Sequence, residues 1–459
     1  MPTAADRTPR PDTRGPVIAA GASLVFFLVA IRRAAALHAG ASDLGIFDQA
    51  VWLMSRGRAP FVTTIGIDVF ADHVSPVLLA FVPLYRIVAT PWWLLAAQAA
   101  CLGLTVVPAR HLADSWGVPR RWATLLVLSN PFVWSAAVYD IHPVVFATPA
   151  VAWLLLAVRR DDRRAATVAG VLIMLCRADT SVVLAGAALL ARGPTRRRLL
   201  WMVPIPLVVA QVVPHVLGTW QTFERYYGRL GSSPADALAH PWRIVLLVPT
   251  AAIQLASWLL PVGFLPLRRP RWVLALGVAG LPLLLSSWPG ISQPWWHHGV
   301  VLVPFVVAGT LAALSTEHRS DGPAPASGSD RARVAVGAVA ALACISPFAP
   351  WAPPRVRMTE ILTSAPPAIR RAVDAIGPSE SVSTSNEIAA ALAHRDHVYI
   401  YPCPFPEAPG TRRCTHPDLY SDAARVDVVV LPGRVDLGGL SGHWRVHRAE
   451  GFTIARRTR

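Results

Sequence analysis

Residues 16–52 read PVIAAGASLVFFLVAIRRAAALHAGASDLGIFDQAVW, an apolar run that ends in two arginines and then enters an acidic loop. The apolar part, residues 16–32, is long enough to cross or nearly cross a bilayer. Four aspartates follow between Leu37 and Pro76, although the whole chain has only 27 acidic residues against 43 basic ones. Ionisable groups at a membrane edge are unfavourable unless they have a function, so this loop is the first candidate site.

The composition of the whole chain is that of a polytopic membrane protein. Of its 459 residues, 53% are hydrophobic and 15% are charged, with a mean hydropathy of +0.43. A soluble protein of this length needs more polar surface. The net charge of +16 does not indicate a nucleic-acid partner, because the arginines fall in short clusters between apolar runs, as membrane topology favours. We therefore expect the lipid bilayer as the surroundings.

The apolar runs predict eleven membrane spans, several of them shorter than the usual ~20 residues. The run at 165–192 predicts two short helices, because Arg177 and Asp179 interrupt it. The first run lacks a convincing cleavage site and predicts a retained span. The runs lie at about 16–32, 92–109, 122–139, 144–158, 165–192, 199–217, 243–266, 272–288, 298–316 and 334–351.

The arginine clusters predict the orientation of the spans. Nearly all clusters share one side if the N-terminus is cytoplasmic, with Arg32 and Arg33 as the main exceptions. This arrangement requires the apolar stretch 74–89 to be a re-entrant or interfacial helix rather than a crossing. Lysine is absent, as expected for a GC-rich bacterium. The sequence thus predicts a multi-pass protein of the bacterial plasma membrane.

The chain is predicted to have three parts. Residues 1–15 are a cytoplasmic tail, residues 16–351 a transmembrane domain with an outer loop at 33–91, and residues 352–459 a small extracytoplasmic α/β domain. This last part is polar, unlike the preceding runs. An odd number of spans places it outside the cytoplasm.

Within the last hundred residues, composition and periodicity predict both strands and helices. Residues 398–401 and 426–431 have the apolar pattern of strands, whereas 359–376 and 386–394 are typical of helices. Cys403 and Cys414 could form a disulfide if this domain is exported to an oxidising compartment.

Asp43 and Asp48 are the first candidates for chemistry in the acidic loop. If residues 44–54 are helical, Ser42 or Asp43 is a natural N-cap, and capping alone could explain Asp43. Asp48 lies within the same helix and points about 140° away from Asp43. The two carboxylates can therefore act from one face only if the helix starts after Asp43.

Asp72 and His73 form a second candidate polar site, directly before the apolar stretch 74–89. An adjacent aspartate and histidine can bind a divalent cation, or can simply solvate the start of a helix. A metal site needs a third ligand at a defined spacing, which the sequence does not supply here.

Three further groups fall on the predicted outer side. Arg177 and Asp179 form either a self-neutralising pair or a site in which Arg177 binds phosphate, since a guanidinium matches phosphate oxygens. A loop with two arginines and interleaved tyrosines suits phosphate and ring contacts, or an amphipathic interfacial helix. Histidines titrate near neutrality and can serve phosphate binding or proton transfer, although a lone interfacial histidine is usually structural. The loop and histidine candidates are Arg225, Tyr226, Arg229, His142, His297 and His298.

Two motifs carry a resemblance to a bacterial family of membrane proteins, domain-of-unknown-function family 2079. They are Asp43–Trp52 and Asp72–Pro76. The segment Arg177-Ala178-Asp179 departs from the family pattern, in which a basic residue precedes two acids. Supporting matches are Pro83-Leu84-Tyr85, His142-Pro143, Tyr227–Ser232, Ser385-Asn386 and Tyr399–Pro402.

The family is similar in layout to the GT-C superfamily of membrane glycosyltransferases. This resemblance implies an α-helical polytopic fold whose long first outer loop carries an essential aspartate. It further implies transfer of a sugar from a polyprenyl-phosphate donor to an extracytoplasmic glycan, lipid or protein acceptor. Asp43, or secondly Asp48, would then be the general base, and Arg177, Arg225 and Arg229 would stabilise the departing phosphate.

Two other classes of protein remain open from the sequence. A transporter would also place ionisable groups in its spans, but it should show repeat symmetry and acids near the membrane midplane. A non-enzymatic envelope assembly protein would use the exported domain and keep the loop acids as helix caps.

Overall fold

The computed structural model shows a helical bundle with a small mixed sheet near its C-terminus. Several helices have proline in their first turn, where its missing N–H is tolerated, as in Pro131–Val138 and Pro143–Arg160. The structure describes residues 12–72, 74–218, 222–288, 291, 295–315, 327–406, 414, 417–437, 440, 442–449 and 451–458. The α-helices span Arg14–Ala35, Ile46–Ser55, Val69–Asp72, Val82–Ile87, Trp92–Leu104, Val106–Ser115, Arg120–Leu128, Pro131–Val138, Pro143–Arg160, Arg163–Cys176, Val182–Leu190, Gly193–Met202, Pro204–Val216, Thr222–Tyr227, Pro234–Ala239, Val248–Leu259, Pro270–Ala279, Leu281–Leu284, Val303–Leu314, Gly328–Ile345, Met358–Ile361, Pro367–Asp374 and Asn386–Ala391.

Shorter helical turns join these helices. One is a π-helical turn, Ala41–Gly45, in the acidic loop. The 3-10 segments are Pro76–Phe81, Ala178–Ser181, Pro241–Leu247, Leu260–Val262, Leu265–Arg268, His297–Leu302, Pro354–Val356 and Pro417–Arg425.

Six helical segments of the described chain are long and apolar enough to cross a membrane, so the expected count of eleven spans is not confirmed. The share of buried residues is 94% in His297–Leu314 and 72% in Pro143–Arg160, but only 22% in Arg14–Ala35. The first two therefore form the centre of the bundle, and the third lies at its periphery. The six are Arg14–Ala35, Trp92–Ser115, Pro143–Arg160, Gly193–Val216, Pro241–Val262 and His297–Leu314.

Several predicted runs are shorter or broken in the structure. The run 122–139 breaks at Asn130, whose side chain accepts a hydrogen bond from the Phe132 amide at 3.0 Å and so caps a new helix. The run 165–192 breaks near Arg177, as predicted, into Arg163–Cys176 and Val182–Leu190. Residues 76–87 form one short apolar segment, which at roughly 1.5–2 Å per residue is well below the ~30 Å of a bilayer core.

The two arginines that were exceptions to the topology pattern have partners within the protein. Arg33 is 1% exposed, and its Nε lies 3.1 Å from Oδ1 of Asp140. The Arg32 guanidinium donates to the carbonyl of Leu362 at 2.7 Å. Both side chains therefore make contacts within the protein, and the predicted orientation of the spans stays a prediction.

The described residues between 354 and 457, for which we keep the name C-terminal domain, contain a five-stranded sheet. The predicted domain boundary at residue 352 stays a prediction. Strand β3, Val382–Thr384, pairs parallel with β4, Val398–Ile400, and with β5, Val428–Pro432. Strand β7, Phe452–Arg457, pairs antiparallel with β5 and with β6, Trp444–Ala449. The order across the sheet is β4-β3-β5-β7-β6, so β5 is the central strand. Both strands that the apolar patterns predicted are present, as β4 and β5. A disulfide joins Cys403 and Cys414. In chain order the strands are β1 Phe61–Val62, β2 Ile67–Asp68, β3 Val382–Thr384, β4 Val398–Ile400, β5 Val428–Pro432, β6 Trp444–Ala449 and β7 Phe452–Arg457.

The C-terminal domain packs directly on the acidic loop. Leu44 and Phe47 of the loop share one buried apolar cluster with Ile388 and Ala389 of the domain. Removal of such side chains from water supplies about 25 cal/mol per Å² of apolar area. The acidic loop therefore has a fixed position relative to both the bundle and the sheet.

Candidate functional site

Asp43 lies in the π-helical turn Ala41–Gly45, between an extended Gly40 and the helix Ile46–Ser55. The Gly45 amide donates to the Gly40 carbonyl at 3.2 Å, which closes the wide turn. Gly40 and Gly45 hold the N-cap positions of this turn and of the following helix, so the predicted N-cap position of Ser42 or Asp43 is not observed. Single π-type turns are frequent at functional sites.

The Asp43 carboxylate contacts a histidine. Its Oδ1 lies 3.2 Å from Nε2 of His142, and Asp43 is 8% exposed. The His142 amide donates to the Gln98 side chain at 2.9 Å, and its Nδ1 lies 3.0 Å from the carbonyl oxygen of Asp140. His142 is thus held at both its backbone and its ring, and it presents Nε2 to Asp43.

Three histidines form a continuous row beside Asp43. The rings of His142 and His297 stack with centroids 3.3 Å apart, and His298 follows at 4.1 Å from His297. Tyr139 packs against His142 and His297, with centroids at 5.3 and 4.9 Å. We call His142, His297 and His298 the imidazole row. The structure therefore brings together the three histidines that the sequence predicted on one side.

The far end of the imidazole row, at His298, lines a cavity of about 620 Å³. This volume lies within the range of small-molecule sites, and most of the lining is apolar. The apolar side chains come from several helices, including Pro204–Val216 and Val182–Leu190. The ionisable lining residues are Asp72, Arg177, Asp179, Tyr226, Tyr227 and His298.

Arg177 is the cation of this cavity. Its Nε lies 2.7 Å from Oδ1 of Asp179, so the predicted pair forms. A guanidinium has five N–H donors, and one contact with a carboxylate leaves donors for a phosphate as well. Burial, and secondly the Asp179 carboxylate, raises the pKa of the Tyr227 hydroxyl, which stays a neutral hydrogen-bond donor.

Asp48 lies in a different cluster from Asp43. Its Oδ1 accepts a hydrogen bond from the Tyr85 hydroxyl at 2.7 Å and lies 2.8 Å from Nε2 of His394. Asp48 is 2% exposed, and His394 belongs to the C-terminal domain. The contacts of Asp48 join the acidic loop to that domain, and its assignment as the second candidate for the base stays a prediction.

The remaining predicted residues divide by location. Arg229 is exposed, its amide lies 3.3 Å from the Ser287 hydroxyl, and it is not part of the cavity lining. The Arg225 side chain and His73 lie outside the described residues. Among the residues that the structure describes, no group of three or more histidine, cysteine or acidic residues could hold a metal. A divalent metal at Asp72 and His73 stays a prediction.

Sequence reasoning missed the residues that hold the site. Asp140 accepts from the Gly40 amide, Asn386 accepts from the Ser42 amide, and Gln98 accepts from the His142 amide, but the sequence assigned none of the three a role. Gln98 was detectable, since a polar side chain inside an apolar run needs a partner. Asn386 was not, because no local pattern links it to residue 42.

The fold and its apolar helical segments define a polytopic membrane protein. The chain belongs to the family described as "Predicted membrane protein (DUF2079)", whose family model matches residues 33–430. No curated protein matches the chain.

Solved structures share this fold at low sequence identity. ArnT from Cupriavidus metallidurans in the apo state superposes with a TM-score of 0.52 and 13% identity, over 96% of this chain and 98% of ArnT. The form bound to undecaprenyl phosphate gives 0.51 and 13%, over 97% and 98%. The apo oligosaccharyltransferase from Archaeoglobus fulgidus, at 0.43 and 11% over 96% of this chain and 74% of that one, is too distant to support an argument.

Proposed function

We propose that this protein is a glycosyltransferase that moves a sugar from a polyprenyl-phosphate donor to an extracytoplasmic acceptor. One observation carries the proposal: an apolar cavity with Arg177 in its lining is joined by the imidazole row to Asp43. An apolar cavity suits a prenyl chain, and a guanidinium suits the phosphate. The structure of ArnT bound to undecaprenyl phosphate, in a similar fold, supports this class of donor.

In this proposal the donor phosphate binds Arg177, and the donor sugar extends along the imidazole row toward Asp43. The acceptor hydroxyl loses its proton to Asp43, its oxygen bonds to the anomeric carbon, and the bond from that carbon to the phosphate oxygen breaks. Arg177 stabilises the charge on the departing phosphate. His142 fixes the orientation of the Asp43 carboxylate, as a general base requires.

The acceptor is proposed to be an envelope glycan, lipid or protein. It approaches from the side of Ser42, which is exposed while Asp43 next to it is buried. The orientation that follows has the N-terminus in the cytoplasm and the acidic loop outside. Reporter fusions at Gly57 and Ser327 test this orientation, with Gly57 expected outside and Ser327 inside. The opposite result would contradict the proposed location of the reaction.

Substitution of Asp43 tests the proposed base. The full-length protein in lipid nanodiscs would be incubated with undecaprenyl-phosphate-linked hexoses and pentoses and with an envelope fraction as acceptor, and the release of undecaprenyl phosphate would be measured. We expect Asp43→Asn to lower turnover by at least about 10²-fold, in the range typical of general bases.

Two matched substitutions on the same loop complete this experiment. Asp68→Asn changes a half-buried acid whose carboxylate accepts from the nearby Phe70 amide at 2.8 Å, and it should retain full turnover. Asp48→Asn tests the second candidate base, and a loss confined to this variant would move the base to residue 48. Full turnover in Asp43→Asn would sink the assignment of Asp43.

A further inference from the structure

We propose that Asn386 is a positioning residue through which the C-terminal domain holds Asp43 in its reactive position. This inference rests on the proposed function, in which Asp43 is the base. It assigns a part in the reaction to a side chain that lies 344 positions away from the segment it holds. The C-terminal domain is then a component of the active site, in addition to any contact with the acceptor.

The contact between the two parts involves the residue immediately before Asp43. The Ser42 amide donates to Oδ1 of Asn386 at 3.0 Å, and the Ser42 hydroxyl donates to the same oxygen at 2.7 Å. One side-chain oxygen therefore receives both hydrogen-bond donors of Ser42. Since Asp43 follows directly along the backbone, a shift of Ser42 moves the Asp43 carboxylate.

Close packing fixes the position of Asn386. It is the first residue of the helix Asn386–Ala391, whose residues Ile388, Ala389 and Ala390 are buried. This helix lies against Gly45, where an added Cβ would be in van der Waals contact with Cα of Ala390, at 3.5 Å. The helix therefore contacts the turn and is anchored by its three buried residues, which gives the Asn386 side chain a defined place.

The turn that carries Asp43 is thus held at three successive points. The Gly40 amide donates to the Asp140 carboxylate, Ser42 donates to Asn386, and the Asp43 carboxylate meets His142. The first and third contacts come from the bundle, and only the second comes from the C-terminal domain. A π-helical turn is rare and short, so contacts of this kind decide whether it persists.

Hydrogen exchange measures this role without any substrate. In the full-length protein, Asn386→Ala removes the acceptor of the Ser42 amide and should raise the exchange rate of the Ser42–Gly45 amides by about ten-fold or more, since exchange follows local opening. Ser42→Ala removes only the hydroxyl donor and should have a smaller effect. The double variant should exchange no faster than Asn386→Ala alone, because both changes act on the same contact.

Thr63→Ala provides a matched control at the same interface between domain and loop. Thr63 also makes two hydrogen bonds across it, donating to the Val398 carbonyl at 2.7 Å and accepting from the Val398 amide at 3.0 Å. Thr63 is buried, and its side chain also contacts Gln49 of the helix that follows the π-helical turn, but it has no hydrogen bond with residues 41–45 among those described. Its loss should lower the thermal stability of the protein at least as much as Asn386→Ala, with no comparable change in exchange at residues 42–45.

Turnover measured with the undecaprenyl-phosphate sugars gives the second readout. Asn386→Ala should lower kcat by about ten-fold or more, since a small displacement of a catalytic group has effects up to about 10²-fold. The KM for the donor should not change, because Asn386 is not part of the cavity lining. Thr63→Ala should keep kcat.

The outcomes separate this inference from the proposed function. If Asn386→Ala and Thr63→Ala change the exchange rates and kcat equally, the positioning role of Asn386 is wrong. General loosening of the C-terminal domain would then explain the effects of both substitutions. Full turnover in Asp43→Asn would overturn the proposed base, whatever the exchange data show. Rapid local exchange with low kcat in Asn386→Ala alone supports the inference.

Discussion

The buried ion pair between Arg33 and Asp140 gives the sharpest prediction of stability. Both side chains are 2% exposed, and the pair closes at 3.1 Å. Asp140→Asn keeps the shape of the side chain and an oxygen that can accept from the Gly40 amide, but it removes the charge opposite Arg33. Loss of one partner of a buried pair typically lowers stability by about 3–5 kcal/mol, because the remaining charge is buried without compensation.

A second substitution isolates the charge from the shape. Arg33→Met in the Asp140→Asn background removes the uncompensated guanidinium. We expect the free energy of unfolding of this double variant to lie within about 1.5 kcal/mol of the wild-type value, because apolar replacements of buried ion pairs are often neutral. The free energy of unfolding would be measured by tryptophan fluorescence in mixed micelles of dodecyl maltoside and sodium dodecyl sulfate, at one pH and one lipid content.

Two results would refute this reasoning. One is a loss below about 1 kcal/mol for Asp140→Asn, in the range of exposed ion pairs, which would mean that water reaches Arg33. The other is a double variant as unstable as the single one, which would mean that the uncompensated charge of Arg33 does not cause the loss of stability in Asp140→Asn.

Three further predictions concern other parts of the chain. Arg177→Ala should raise the KM for the donor by about 10- to 100-fold, as for loss of a charged hydrogen bond, and Arg177→Lys should lose less; unchanged donor KM in both variants would contradict phosphate binding there. Replacement of both Cys403 and Cys414 by serine should lower the free energy of unfolding by about 2–3 kcal/mol, because the disulfide closes a loop with a separation of 11 residues. If the oxidised and the reduced wild-type protein were equally stable, this prediction would be wrong. A hydrogen bond from Arg110 lowers the pKa of Asp12 to about 2. The Asp12→Asn variant should therefore have a lower free energy of unfolding than the wild type at neutral pH, and the two values should converge as the pH falls from about 4 to about 2. A difference that stays constant over this pH range would contradict the ion pair between Asp12 and Arg110.

Local signals in the sequence predicted much of the bundle and part of the site. The break near Arg177 and the short apolar segment at 76–87 followed from charge and proline placement. The sequence Asn130-Pro131 is typical of a helix start, since asparagine favours the N-cap and proline the first helical position. The prediction of one continuous span at 122–139 overlooked it. These features depend on neighbours along the chain, which is why the sequence could predict them.

Contacts between distant segments of the chain could not be predicted from such local signals. Helical periodicity placed Asp43 and Asp48 on different faces, and they do have different partners, but it could not identify His142 for one and His394 for the other. Counting arginines put three histidines on one side, yet their stacking depends on how separate helices pack. The partner of Arg33 lies 107 residues away, and no spacing rule connects the two.

The three-point hold on the π-helical turn has a consequence for the order in which the molecule is made. The turn is synthesised near the start of the chain, whereas Asn386 lies in a domain whose sheet is completed by β7, between β5 and β6, at residues 452–457. A ribosome must therefore finish nearly the whole protein before the turn has its last partner. A truncated product would carry Asp43 without that contact, so a lipid-linked sugar would meet a fully assembled base only in a complete chain.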